Sequence, residues 1–245
     1  MSMQGKIIAI TGGASGIGLA AAKILSSRGA VVAIADINPQ ALGEASTYFQ
    51  FQKAEFMITR LEVTDSSEVN AWIQAVVDKY GRLDGAANCA GILGKHHGIR
   101  TVAQLEDDEW DRLLAVNLTG LMYCLRAELG KIVDGGSIVN MASIQGLVGF
   151  TETGAYVATK HAVIGLTRTA AKENGAKGIR VNALAPGSID TPLASQSKAV
   201  RKGATSAMGR VGTAEEMGYS IAFLLGPEST FTTGAVIVAD GGWAC

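Results

Sequence analysis

The sequence predicts a single α/β domain spanning residues 1–245, a doubly wound parallel sheet of seven strands with helices on both faces. Three observations point to it. Short apolar runs recur along the 245 residues, with helix-length segments between them. Most of these runs are apolar throughout, not alternating, as strands covered on both faces require. No linker, low-complexity tract or repeat breaks the strand–helix rhythm, and that rhythm marks a parallel sheet in one unit.

The first expected strand is KIIAIT (6–11), followed by the helical segment 16–29, with apolar residues three and four apart and Gly29 as a stop signal. AVVAIAD (30–36) is the second strand, and NPQALGEA opens the next helix. EFMITRLEV (55–63) is a shorter strand candidate; segment 66–81 then starts on Asp65 or Ser66 and stops at Gly81. After RLDGAAN (82–88) comes a long helix, 107–130, with acids in its first turn, where they suit the helix dipole. GSIVNMA (136–142) precedes helix 154–175, which ends on Asn174-Gly175. GIRVNALAP (178–186) is followed by helix 213–226, opened by a Thr213…Glu216 capping-box pattern. GAVIVADGG (234–242) is the last strand. Two long loops remain, 92–106 and 188–212, and long loops in compact domains are often functional lids.

Composition narrows the function. Hydrophobic residues make up 48% and charged residues 18%, with a net charge of −1, so the chain is globular. Nothing in its charge marks a footprint for nucleic acid or anionic lipid. No apolar run reaches membrane length, and the start is too short in apolar residues for a signal peptide. Cys89, Cys124 and Cys245 show no metal-ligand spacing; free thiols in a reducing, cytoplasmic setting are expected.

The chemistry-bearing residues cluster at strand ends. The first strand runs into TGGASGIG, with Gly12, Gly16 and Gly18 in the turn. A turn that brings N–H groups up to a pyrophosphate must keep Cβ atoms out of the way, and the helix N-terminus then favours the negative charge. A bare structural turn is the alternative. Asp36 ends the second strand, 18 residues after Gly18, where an acid can hold both ribose hydroxyls of an adenosine and repel a 2′-phosphate. Ser15 and Ile37 occupy the places where a cation would offset that repulsion, so NAD is favoured over NADP. The alternative is that Asp36 only caps the next helix.

Tyr156 and Lys160 stand one helical turn apart on one face. A fixed cation near a phenol favours the phenolate, and a tyrosine so placed exchanges a proton with a substrate hydroxyl. Ser143, at the preceding strand's end, can bond the same oxygen. A packed ring and a snorkelling lysine are the alternative.

Taken together, these residues resemble the short-chain dehydrogenase/reductase family over essentially the full length. The resemblance rests on Thr11-Gly12-xxx-Gly16-Ile17-Gly18, Asn117 in LLAVNLTG, Ser143, Tyr156-xxx-Lys160, and Pro186-Gly187 with Thr191. It implies a Rossmann-type fold and an NAD(H)-dependent oxidoreductase that interconverts a secondary alcohol and a ketone. Tyr156 would be the general acid/base, Lys160 would lower its pKa and hold the nicotinamide ribose, Ser143 would steady the substrate oxygen, and Asn117 would keep a water in a proton relay. Cofactor contacts would come from Gly12, Ser15, Gly16, Ile17, Gly18, Asp36, Ile37, Glu62, Val63, Asn88, Ala90, Gly91, Pro186, Gly187, Ile189 and Thr191. Gln145, two residues past Ser143, is a substrate contact by position. Two departures stand out: Cys89 follows Asn88 where the family often has a second Asn, and Glu62-Val63 stands where it often has Asp-Val. Cys89 reads as a small buried filler.

Other candidates read as bland. His96 and His97 lack further ligands for a metal and read as solvated loop residues, with a pocket-mouth role as the alternative. Lys198, Arg201 and Lys202 read as a solvated face, Tyr219 and Trp243 as packing. The 154–174 helix, with Ala155, Ala158, Ala162, Gly165 and Leu166, presents a second apolar face that points to a partner subunit. Family resemblance implies a homotetramer or homodimer. Two other functions stay open: an epimerase or dehydratase-like enzyme with transient redox, and a non-catalytic dinucleotide-binding protein.

Overall fold

The computed structural model describes residues 2–196 and 206–244. Lys198, Arg201, Lys202 and Cys245 lie outside the described residues. Seven parallel strands, β1 (Ile7–Thr11), β2 (Val31–Asp36), β3 (Phe56–Arg60), β4 (Leu83–Asn88), β5 (Ile132–Met141), β6 (Arg180–Pro186) and β9 (Val236–Ala239), form one sheet in the order β3-β2-β1-β4-β5-β6-β9. Thr11 lies opposite Ala35 on one side and Asn88 on the other, so the strand order reverses at the carboxyl end of β1. Open α/β sheets bind ligands in the crevice at such a point. A separate two-stranded ladder pairs β7 (Ile189–Asp190) with β8 (Gly212–Thr213), beside the crevice.

The apolar strands are covered on both faces. Ile8 and Ile10 face a core shared with helices α1 (Gly16–Ser27), α2 (Pro39–Phe51) and α7 (Ala214–Leu225). Ile7 and Ala9 face another, packed by α3 (Ser66–Tyr80) and α5 (Leu121–Leu129). Each fully buried Ile or Leu there contributes about 1.5–3 kcal/mol. α6 (Gly154–Asn174) packs Val163 and Ile164 against β6 through Ala183.

Most helix ends follow their signals. Asp65 caps α3, Gly81 stops it at φ +78°, Gly29 follows α1 at φ +92°, and Thr213 and Glu216 form the capping box. Two boundaries differ. The 107–130 segment is not one helix: α4 (Asp107–Leu114) passes through a π-helical turn, Ala115–Gly120, into α5. β5 starts at Ile132, because an irregular stretch lets Ile132 pair with Leu83 before Ser137 pairs with Gly85. α6 ends at Asn174 with Gly175 as its C-cap, as expected, and a left-handed Gly178 follows the next short turn.

Outward on α6, Ala158, Ala162 and Leu166 are half-buried and Gly165 exposed, but exposed His161 and Arg168 interrupt the apolar stripe and Ala155 is buried within. Tyr219 does not pack inside; it is exposed, bonding Glu215 with Arg28 near its ring. Among the described residues, no helix is long and apolar enough to cross a membrane.

Candidate active site

One cavity of about 920 Å³ lies above the carboxyl ends of the strands. This is the upper end of the range for ligand clefts. Its first wall is the β1–α1 turn. Gly12 has φ +61°, and a Cβ there would sit 2.8 Å from the Ala90 nitrogen. A Cβ on Gly18 would sit 2.2 Å from the Gly12 carbonyl oxygen, so this glycine lets helix and turn pack backbone to backbone. The glycines therefore answer to the protein's own packing as much as to any ligand. Ser15 stands at the N-cap without a side-chain cap bond, and the first turn of α1 holds no acid. The positive end of the α1 dipole faces the cavity through Ser15, Gly16 and Ile17.

Asp36 closes this wall. Its carboxylate accepts from Ala14 N–H at 3.2 Å and Asn38 N–H at 3.1 Å. Asn38, not Asp36, caps α2, accepting from Gln40 and Ala41. The residues present fit a dinucleotide: an uncapped helix end for phosphate, then a carboxylate held in place for hydroxyls. Ile37, Glu62, Val63, Ala90 and Gly91 line the same wall. Glu62 accepts from Thr64 N–H, 3.3 Å away. Pro186, Gly187, Ile189 and Thr191 also line the cavity; Thr191 abuts Gly16, and a Cβ on Gly187 would meet the Asp240 backbone at 2.8 Å.

Asn88 ends β4 beside the β1–α1 turn. Its side chain is turned from the cavity into a buried network, donating to Glu128 at 2.9 Å and to Asn140 at 3.0 Å. Asn140 in turn donates to Thr167. Burial pushes the Glu128 carboxyl up to about 7, against the pull of Asn88.

The second wall holds Ser143, Gln145, Tyr156 and Lys160. Tyr156 sits in the first turn of α6, and the Lys160 ammonium lies 5.5 Å from its ring centroid. Lys160 Nζ donates to Met141 O at 2.7 Å. Burial pushes Tyr156 up to about 12, with a hydrogen bond from Ser143 pulling the other way. Burial pushes Lys160 down to about 8. In the protein alone desolvation dominates both groups, raising the phenol and lowering the ammonium. The phenol keeps its proton at neutral pH. Cys89 is likewise a protonated filler, pushed up to about 12 by burial.

Asn117 is placed by its own contacts. It lies on the π-helical turn and does not line the cavity. Its amide grips the Ile92 backbone from both sides, accepting from N–H at 2.8 Å and donating to the carbonyl at 3.0 Å. A Cβ on Gly91 would lie 3.3 Å from Asn117 Oδ1 and 3.8 Å from Lys160 Nζ, so the gripped strand end runs between the two side chains.

Two residues carry more than their sequence reading. His97 is not solvated: it is 8% exposed and meets Tyr156 edge to face, with centroids 5.3 Å apart. Trp243 stacks on Phe150 at 4.7 Å, and both line the cavity. His96 gains neighbours that spacing did not reveal. Glu109 bonds its Nδ1 at 2.8 Å, and Glu106, ion-paired to Arg100, lies close by. These three residues could hold a metal ion, but the carboxylates already serve Arg100 and His96. A run of charges at 95–109 was the only signal available.

A family profile described as enoyl-(acyl carrier protein) reductase matches residues 12–244. The short-chain dehydrogenase/reductase ABA4 of Pyricularia oryzae is 55% identical, over 99% of this chain and 93% of its own. Cyclohexanol dehydrogenase of Acinetobacter sp. (strain SE19) is 35% identical, over 97% and 94%. The crystal structure of levodione reductase superposes with a TM-score of 0.92 at 33% identity, covering 98% of each chain. With the dinucleotide cleft and the Ser–Tyr–Lys wall facing each other across one cavity, these matches have a single reading: the chain is an oxidoreductase of the short-chain dehydrogenase/reductase family.

Proposed function

We propose that this protein is an NAD(H)-dependent enzyme that interconverts a secondary alcohol on a small carbon ring and the corresponding ketone. The observation that carries this reading is the shared cavity: the Asp36-edged wall and the Ser143–Tyr156–Lys160 wall open onto the same space. The locked Asp36 carboxylate, with no cation at Ser15 or Ile37, favours a cofactor with free ribose hydroxyls over one with a 2′-phosphate. The names of two relatives, cyclohexanol dehydrogenase and levodione reductase, support a ring-borne substrate.

When bound, a nicotinamide cofactor supplies hydride transfer at the substrate carbon. The chain's residues handle the proton. Ser143 Oγ orients the substrate oxygen beside the Tyr156 hydroxyl. Tyr156, protonated at neutral pH, donates its proton to that oxygen in the reducing direction; in the oxidising direction it must first lose that proton and then takes the substrate's proton as the phenolate. Lys160, pushed down to about 8, is still mostly ammonium at neutral pH, and its charge favours the phenolate when the proton leaves. Asn117 fixes the 91–92 backbone against this group.

The test follows reduced-cofactor absorbance with NADH or NADPH and a panel of cyclic ketones. Turnover with NADH is expected, and Tyr156→Phe should lower kcat by about 10²- to 10⁴-fold without changing cofactor binding measured by titration. Cofactor binding without turnover of any ketone or alcohol would favour a dinucleotide-binding protein with no catalysis. A preference for NADPH would overturn the Asp36 argument. For assembly we propose a homotetramer or homodimer through the outer face of α6, which light scattering after gel filtration tests; a monomer at all concentrations rejects it.

A further inference from the structure

We propose that His97 and Gln145 form a second recognition point inside the cavity, which binds a neutral oxygen of the substrate other than the reacting one. The preferred substrates are then diols or hydroxyketones, not simple alcohols. The inference rests on the alcohol–ketone reading above.

His97 is a polar ring in the place of an apolar wall. It is 8% exposed, lines the cavity and touches Tyr156 edge to face at an interplanar angle of 85°. Among the described residues, neither ring nitrogen has a hydrogen-bond partner; only the backbone N–H is bonded, to Gly94 O at 3.2 Å. Burial holds the imidazole below its usual pKa, against the opposing charge of Glu109. A neutral imidazole carries one donor and one acceptor. The side chain is buried, but its unbonded ring nitrogens are not among the fully buried polar atoms without a partner, so they open onto the cavity, where a ligand's polar atom can meet them.

Gln145 gives a second, independent sign. It lines the same cavity, and its Oε1 is buried with no partner. Its backbone N–H bonds Ser143 Oγ at 3.1 Å, which places the residue beside that serine. The nearby walls, Ile92, Leu93, Ile144, Phe150 and Trp243, suit a carbon skeleton. A simple alcohol engages Ser143 and Tyr156 with its one oxygen and leaves the histidine and the amide unmatched. A second hydroxyl donates to Gln145 Oε1 and either donates to or accepts from His97. A second carbonyl accepts from the His97 N–H. Because the His97 and Tyr156 rings touch, both oxygens must sit on one short skeleton.

The ring is also held in place. Gly98 N–H bonds Glu152 O at 2.8 Å, and His96 is fastened to Glu109 through Nδ1 and through its backbone N–H. Fixed polar groups reject a ligand that cannot match them more strongly than mobile ones do.

The experiment compares 1,4-cyclohexanediol with cyclohexanol, using NAD⁺, in the wild type, His97→Leu and His97→Gln. The readouts are kcat/KM and each alcohol's affinity for the protein–NADH complex, by calorimetry. The wild type is expected to favour the diol by about 10- to 100-fold in both. His97→Leu should collapse that ratio towards one, and His97→Gln, which keeps a donor and an acceptor, should retain more of it. A wild-type ratio near one overturns the proposal without any variant. So does an unchanged ratio in a folded His97→Leu, because a role confined to packing Tyr156 slows both alcohols alike. If the wild type turns over neither alcohol with either cofactor, the alcohol–ketone reading itself falls, and this inference with it.

Discussion

At the α1 end of the cavity the wall is mostly backbone: glycines packed against carbonyls and strand ends, a bare helix terminus, and one carboxylate locked by two N–H groups. At the Tyr156 end it is mostly side chains: Ser143 and Gln145 after β5, Tyr156 and Lys160 on α6, and His97 on a loop whose His96 is fastened to Glu109. The first end has no slack, since a Cβ on Gly12 or Gly18 would overlap neighbouring backbone. The second end is adjustable, since its shape depends on which side chains the loop presents. A fold that binds one kind of cofactor and many substrates needs both kinds of wall.

The contrast can be broken from either side. The largest effect is expected at the rigid end. Gly18→Ala places its methyl against the Gly12 carbonyl, and the turn must shift. Cofactor affinity should fall about 100-fold, the equivalent of about 3 kcal/mol. Fluorescence titration with NADH measures it, and an unchanged affinity would show that this end does have slack.

Next comes the seam below the cavity, where Glu128 meets Asn88 between α5 and β4. A carboxyl raised to about 7 holds its proton in the folded state up to that pH, while the unfolded chain releases it near the ordinary 4.5. The folded state thus binds more protons across this window. Its stability is fully present below about pH 4.5 and is lost as pH rises towards 7, on the order of 3 kcal/mol in all. Glu128→Gln should remove that slope and be more stable than the wild type at pH 8, because an amide can also donate to the unpartnered Asn88 Oδ1. Urea midpoints from pH 5 to 8 decide it; parallel slopes in the two proteins would count against a buried neutral acid.

The smallest effect is expected at the adjustable end. Glu109→Ala unfastens His96, and kcat/KM should drop about tenfold, roughly one hydrogen bond to a charged group. Cofactor affinity should stay the same. Equal losses in both would mean that the two walls are mechanically one.

The sequence displayed the rigid end better than the adjustable one, for a physical reason. Strands β1, β2, β4 and β6 were legible because burial on both faces demands continuous apolar runs. The β1–α1 turn was legible because a Cβ at Gly12 or Gly18 would overlap neighbouring backbone, so only glycine fits. Such constraints act on a residue's own backbone. The burial of His97 depends instead on contacts such as His96 to Glu109, made across an irregular loop, and no periodicity encodes those. Asn88 and Asn117 show the same limit. The motif positions were visible, but whether each side chain turns to the cavity or away depends on Glu128 and on Ile92. The phenol of Tyr156 shows it energetically, because its desolvation depends on how the whole wall closes over it.

The π-helical turn at Ala115–Gly120 has one further consequence. A π turn is an α-helix with one residue inserted, and each residue of an α-helix advances the side chains by about 100°. The turn therefore works as a phase shifter. It lets α5 set Cys124 and Leu125 on the sheet, while α4, out of phase by about one residue, sets Glu109 beneath the His96 loop. Asn117 sits where the phase changes, at the point of contact between the rigid wall and the adjustable one.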